Sequence, residues 1–234
     1  MVKAELVQRS PLRLFDQSIH GGLKAGEIGI IASPAGVGKT SVLVQLALDK
    51  LLQGKKIIHV SFTQHKQHVL TWYEDIFEEL TSKIKLDNAA EVKDELVLNR
   101  VLMNFNQDGV KEEQIIKSLR AMILDGGFKA DSIIIDGFDF AKTNAESMAN
   151  VKTFATEMGV SIWYSCSVPD GEGQYDNDNL PVMLSGFSKS IDIVVVLKPK
   201  SDHVELSISK DRDSVISKTM AMELDPKTLL ILEK

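Results

Sequence analysis

The stretch IASPAGVGKTS, residues 31–41, carries the residue types that hold an anion at the start of a helix. Gly36 and Gly38 permit backbone angles and close approach that a side chain would obstruct, so the N–H groups of Ala35 to Thr40 can curl around one point. A helix beginning there aims its positive end at the same point. Lys39 adds a cation long enough to reach β- and γ-phosphates, and the Thr40 hydroxyl suits a hard divalent metal such as Mg²⁺. Contacts to a nucleotide are expected from Pro34, Ala35, Gly36, Val37, Gly38, Lys39, Thr40 and Ser41, with Lys39 as the catalytic cation. One position departs from the pattern: Ser33 stands where the first glycine belongs.

A second chemical element lies a hundred residues further on. SIIIDGF, residues 132–138, places Asp136 at the end of an apolar run, where a carboxylate can steady Mg²⁺ through water. The metal positions are therefore Thr40 and Asp136. The single cysteine, Cys166, excludes an internal disulfide framework and a multi-cysteine zinc site.

These groups need a scaffold, and the hydrophobic pattern predicts one. IGIIA (28–32), KIIHVSF (56–62), DSIIIDGF (131–138), VSIWYSC (160–166) and DIVVVLK (192–198) read as strands. The isoleucine run before Asp136 is apolar on both faces, as in the middle of a parallel sheet covered by helices. Between them, TSVLVQLALDKLLQ has apolar residues at helical spacing and Gly54 at its end. Residues 64–82 place Val69, Trp72, Ile76 and Leu80 on one helical face. VKEEQIIKSLRAMILDGG predicts an amphipathic helix with an acidic start, and TNAESMANVKTFATEMG one that runs from an Asn144 or Thr143 cap to Gly159. RVLMNF fits a strand and LPVMLSGFSKSI a short helix. The N-terminal MVKAELVQRSPLRLFDQSIHGGLKAGE has mixed polarity and closes on a turn. The last quarter alternates like strands, with turns at KDRDS and DPK, and predicts an antiparallel meander at the sheet edge. A single α/β domain over residues 1–234 is the expectation.

At 234 residues the chain can bury one large core, and 26% charged residues make it an ordinary globular composition. The net charge of −6 supplies no global pull toward nucleic acid or an anionic membrane. With no long apolar run and no leader pattern, the expected location is cytoplasmic.

From LFDQSIHGGLKAGE through the phosphate loop and KKIIHVSF, the chain resembles the RecA/DnaB/KaiC superfamily of ATPases. The resemblance continues through SIIIDGF, GVSIWYSCS and SIDIVVVL to LSISKDRDS, and so spans nearly the whole chain. It implies a three-layer RecA-like P-loop fold, with a mostly parallel twisted sheet and an antiparallel C-terminal hairpin extension. It implies ATP and Mg²⁺ as cofactors, and a homo-oligomer of ring or filament type, or a protein partner. A Lys-x-Arg pair in this superfamily reaches a neighbour's γ-phosphate; here Lys210 and Arg212 are its candidates, the alternative being a charged turn without that duty.

Two departures bear on catalysis. Where the superfamily carries a glutamate that activates water, this chain has Thr63 and Gln64. Gln64 can orient a water without acting as a carboxylate base, and His65 reads as a solvated helix-start residue. The γ-phosphate sensor position holds Cys166 or Ser167, too short for the reach of a glutamine. Asp139 serves as a base only if its turn aims it inward. The loop 168–182 carries Asp170, Glu172, Asp176 and Asp178 and no lysine or arginine, which disfavours DNA. The leading expectation is an ATP-binding module with slow or absent hydrolysis that regulates assembly or partner binding. The alternatives are an active ATPase with an unusual base, and a scaffold that has lost nucleotide binding. More distant is a ParA/MinD-like partition switch, whose loop lysine is replaced here by Pro34 and whose loop sits closer to the chain start.

Overall fold

The computed structural model describes residues 3–62, 66–84, 86, 88–106 and 112–234. Six strands are parallel: β1 (Ile28–Ser33), β2 (Ile57–Ser61), β3 (Arg100–Asn104), β4 (Ser132–Asp136), β5 (Ser161–Ser167) and β6 (Ile193–Pro199). Three more, β7 (Val204–Asp211), β8 (Ser214–Leu224) and β9 (Ile231–Glu233), continue the sheet antiparallel. The sheet order is β3-β2-β4-β5-β1-β6-β7-β8-β9. The phosphate loop thus leaves the sheet from a central strand, between β5 and β6.

Helices α1 (Lys3–Gln8), α2 (Leu12–Ser18), α3 (Lys39–Leu52), α4 (Lys66–Ile84) and α5 (Ala89–Leu98) cover one face; α6 (Glu112–Arg120) and α7 (Ala145–Met158) cover the other. Strand alternation sorts the side chains between two cores. Ile31, Ile134, Trp163 and Val195 face the first helical layer, while Ile30, Ile135, Ile162 and Val194 face the second. Every residue of β1 and of β4 is buried, as a parallel sheet clad on both faces requires. This is the three-layer P-loop NTPase architecture. No helix among the described residues is long and apolar enough to cross a membrane.

The antiparallel extension, the strand at Arg100–Asn104 and the caps follow the sequence reading. Asn144 accepts a hydrogen bond from the Ser147 N–H, and α7 stops at Gly159 with φ 65°. Three elements differ from it. The N-terminal segment holds α1 and α2, which bury Leu6, Leu12 and Phe15; each is too short for its period to stand out from mixed polarity. The helix expected to run to Gly126 widens after Arg120 into a π-turn (Ala121–Asp125), where the Gly126 N–H reaches the Ala121 carbonyl. The short helix after Pro181 is a 3₁₀ segment, Val182–Phe187.

Packing also explains a glycine inside a strand. A Cβ on Gly29 would lie 2.5 Å from the Trp163 ring, which stands beside it in register. Trp163 in turn meets Phe15 edge-on at 6.0 Å, so α2 is anchored over the start of β1.

Candidate functional site

The site grows from the end of β1. Ser33 is fully buried, and the chain turns through Pro34–Gly38 before α3 begins at Lys39. Gly38 adopts φ 109°, and a Cβ there would sit 2.5 Å from Leu224 Cδ2 on β8. The close approach of the C-terminal meander therefore demands glycine as much as the backbone angle does.

Lys39 is 8% exposed, and its Nζ donates to the Ser33 carbonyl at 3.0 Å, the Pro34 carbonyl at 2.8 Å and Ser33 Oγ at 3.3 Å. All three acceptors are neutral oxygens. Among the described residues no carboxylate lies within ion-pair distance of this ammonium. Burial pushes its pKa below the ordinary lysine value, while nearby Cys166 and Asp136 oppose that shift. A buried cation resting on neutral oxygens is an arrangement that an anionic ligand completes.

Beside it, Thr40 Oγ1 donates to Asp136 Oδ2 at 2.9 Å. Asp136 is 4% exposed and ends β4 in register with Ser61 of β2. The hydroxyl and carboxylate predicted from residues 96 apart in sequence are thus brought together next to the lysine. They are oxygen donors of the kind that suits Mg²⁺, which takes one or two protein ligands and keeps water and phosphate oxygens for the rest. The residues present fit a magnesium-bound nucleotide.

The positions expected to carry or lack a base divide in three. Thr63, Gln64 and His65 lie outside the described residues; the Phe62 N–H just before them bonds to the Asp136 carbonyl, so β2 ends beside Asp136. Asp139 caps its own 3₁₀ turn, Phe140–Lys142, accepting from the Ala141 N–H at 3.0 Å. Cys166 pairs in register with Ala32, is fully buried and touches Met183 Sδ at 3.8 Å. Burial pushes its thiol up to about 12, with Lys39 pulling the other way, so it is neutral at pH 7. Ser167 is exposed.

Ser41, grouped with the loop by sequence, directs its hydroxyl to the Leu229 carbonyl. Lys210 and Arg212 lie far from the loop within the chain. β7 runs antiparallel, and Asp211 pairs with Ile193, which is level with Gly29 near the start of β1. Both cations are engaged there. Lys210 Nζ, in a largely buried side chain, donates to the carbonyls of Ile191 and Arg212. The Arg212 guanidinium meets Glu27, Asp211 and the carbonyls of Ile19 and Gly22.

Sequence reading gave no sign of one feature beside the loop. A cavity of 280 Å³ opens against Gly36 and Val37, walled by the 199–204 turn and by Leu224, Pro226 and Leu229. It approaches the lower end of small-molecule sites, about 300 Å³. Its walls come from three separate stretches of chain, and none carries a motif.

The fold agrees with comparison. A family model described as an AAA domain matches residues 3–163, and the chain belongs to this family of P-loop NTPase-like, DnaB/RecA-like nucleotide-binding domains. The match spans α1 through the start of β5, and so includes the phosphate loop and Asp136. Comparison with curated proteins gives no match.

Proposed function

We propose that this chain binds ATP with Mg²⁺ and hydrolyses it slowly or not at all, so that nucleotide occupancy sets its assembly or its hold on a protein partner. The observation that carries the reading is the Lys39 ammonium, buried on neutral oxygens beside the Thr40–Asp136 pair. In this reading the backbone N–H groups of residues 35–40 and Lys39 hold the phosphates, and Thr40 with Asp136 holds the metal. Bound Mg²⁺ supplies neutralisation of the charge that develops on the phosphate oxygens. Lys39 exchanges the Ser33 and Pro34 carbonyls for the ligand. The 280 Å³ cavity next to Gly36 and Val37 takes the nucleobase.

Slow turnover follows from what surrounds these groups. Thr63 and Gln64 replace the expected carboxylate, Asp139 is committed to its turn, and the Cys166 thiol is neutral. Absence of a positioned general base costs about 10²–10⁴ in rate. Against a typical enzymatic turnover of about 10 per second, the expected value is about 0.1 per second or below. The acidic loop 168–182 argues for a protein rather than a nucleic-acid partner, and a cytoplasmic location fits the same reading.

Calorimetric titration with MgATP and a steady-state ATPase assay test both halves. Binding that disappears in Lys39→Ala, with turnover at or below that level, is the expected result. Turnover of several per second that Lys39→Ala abolishes would refute slow hydrolysis; no heat of binding would refute the nucleotide reading.

A further inference from the structure

Leu229 is a leucine at φ 57°, a left-handed conformation that a branched side chain adopts only when its surroundings impose it. The surroundings are two side chains of α3. Its carbonyl accepts from Ser41 Oγ and from Gln45 Nε2, the latter at 2.8 Å, while Gln45 Oε1 accepts from the Ile231 N–H at 2.8 Å. The Gln45 amide thus engages a backbone acceptor and a backbone donor two residues apart, as a neighbouring strand would. Gln45 is 4% exposed and Ser41 fully buried, so water does not compete for these bonds.

On the far side of the grip, the turn before Leu229 is braced by Asp225. Its carboxylate accepts from the Lys227 N–H and from Thr228 Oγ1, and its carbonyl from the Leu229 N–H. Leu229 and Pro226 of this braced turn line the cavity that opens against Gly36 and Val37. Helix α3 therefore carries Lys39 and Thr40 on its first turn and fixes the cavity wall through Ser41 of that turn and Gln45 of the next.

We propose that Gln45, with Ser41, is a positioning residue for the nucleoside end of the ligand. Gripping Leu229 keeps the cavity wall at a set distance from the phosphate loop, so phosphates and base are accommodated together. This rests on the nucleotide reading above and adds a residue that touches neither phosphate nor metal. Gln45→Met keeps the side-chain length and helix preference but removes the bonds to the Leu229 carbonyl and the Ile231 N–H. Losing both bonds loosens the wall, and a ligand that needs it is expected to bind about tenfold more weakly.

The test compares MgATP with magnesium tripolyphosphate, which has the phosphates and no base, by calorimetry on wild type and Gln45→Met. The expected result is about tenfold weaker ATP binding with tripolyphosphate affinity within twofold of wild type, which also certifies the fold. Gln45→Glu, which retains the acceptor for the Ile231 N–H, should fall between the two proteins, and it replaces Gln45→Met if that variant does not fold. An equal loss for both ligands would show that the grip serves the phosphate loop, and no loss for either would show that it serves neither; each overturns the proposal. If wild type binds tripolyphosphate as tightly as ATP, the phosphate site stands and the positioning role falls. If wild type binds neither ligand, the nucleotide reading fails first and this proposal with it.

Discussion

Replacing Arg212 by alanine separates two roles for the same guanidinium. Within the chain it makes a forked pair with Glu27, Nε–Oε1 at 2.8 Å and Nη2–Oε2 at 3.1 Å, and a further bond to Asp211 Oδ1 at 2.6 Å. The carbonyls of Ile19 and Gly22 complete its donors at 3.2 and 3.1 Å. The side chains are 25% exposed for Arg212, 15% for Glu27 and 5% for Asp211, so this is a partly buried network. Exposed pairs contribute about 0.2–1 kcal/mol, and breaking a buried pair costs about 3–5 kcal/mol because a carboxylate is left without its cation. The geometry lies nearer the buried limit, and about 3 kcal/mol is expected. For a chain of this length that lowers the melting temperature by about 6–12 °C. Arg212→Lys should recover only part of the loss, since an ammonium cannot reproduce the fork. Thermal and urea unfolding of both variants measure this, alongside nucleotide binding. If Arg212→Ala unfolds within about 0.5 kcal/mol of wild type while nucleotide turnover drops, the clamp is not what the residue is for. The trans-acting role would then be the better account.

Two further perturbations probe the core and the loop. His59 is fully buried on β2, with Nδ1 3.0 Å from the Tyr73 hydroxyl and no partner on Nε2 among the described residues. Burial holds its pKa down at about 4, against 6.5 for the unfolded chain, with Asp136 opposing and Arg100 assisting. The unfolded state binds the extra proton between those values. The stabilisation is therefore complete above pH 6.5 and is lost as pH falls toward 4, a loss of about 3 kcal/mol. His59→Asn should flatten the stability profile over that window in urea melts, and identical slopes would contradict the assignment. Gly38→Ala adds a Cβ 2.5 Å from Leu224 Cδ2 at φ 109°. Strain and overpacking together predict a loss of about 2–4 kcal/mol. In a double-mutant cycle with Leu224→Ala, about 1 kcal/mol of it should be relieved; strict additivity would mean that the two do not touch.

Some of this protein was determined by local sequence. A phosphate loop is made by consecutive residues, so Gly36 to Thr40 announce it whatever the rest of the chain does. Asp136 is announced similarly, by an isoleucine run that only a doubly covered strand tolerates. Apolar runs predicted the parallel core, capping residue types the ends of α7 at Asn144 or Thr143 and at Gly159, and period-2 alternation the C-terminal meander. The segments that local pattern left unread are short or irregular. In α1 and α2 too few turns exist for a period to emerge, and the π-turn after Arg120 departs from the period itself.

What only the tertiary structure decided involves residues far apart, where no local propensity operates. The Gln45 grip on Leu229 spans 184 residues, and the Arg212 clamp on Glu27 spans 185. By sequence Arg212 is a candidate to reach a neighbour's γ-phosphate, or else part of a charged turn, and Ser41 belongs to a phosphate loop. Folding gives Arg212 partly buried carboxylates to satisfy, and it gives Ser41 a carbonyl that a left-handed leucine turns toward it. Sequence fixes which groups the chain possesses; burial, by removing water as a competing partner, decides which of them must find one another.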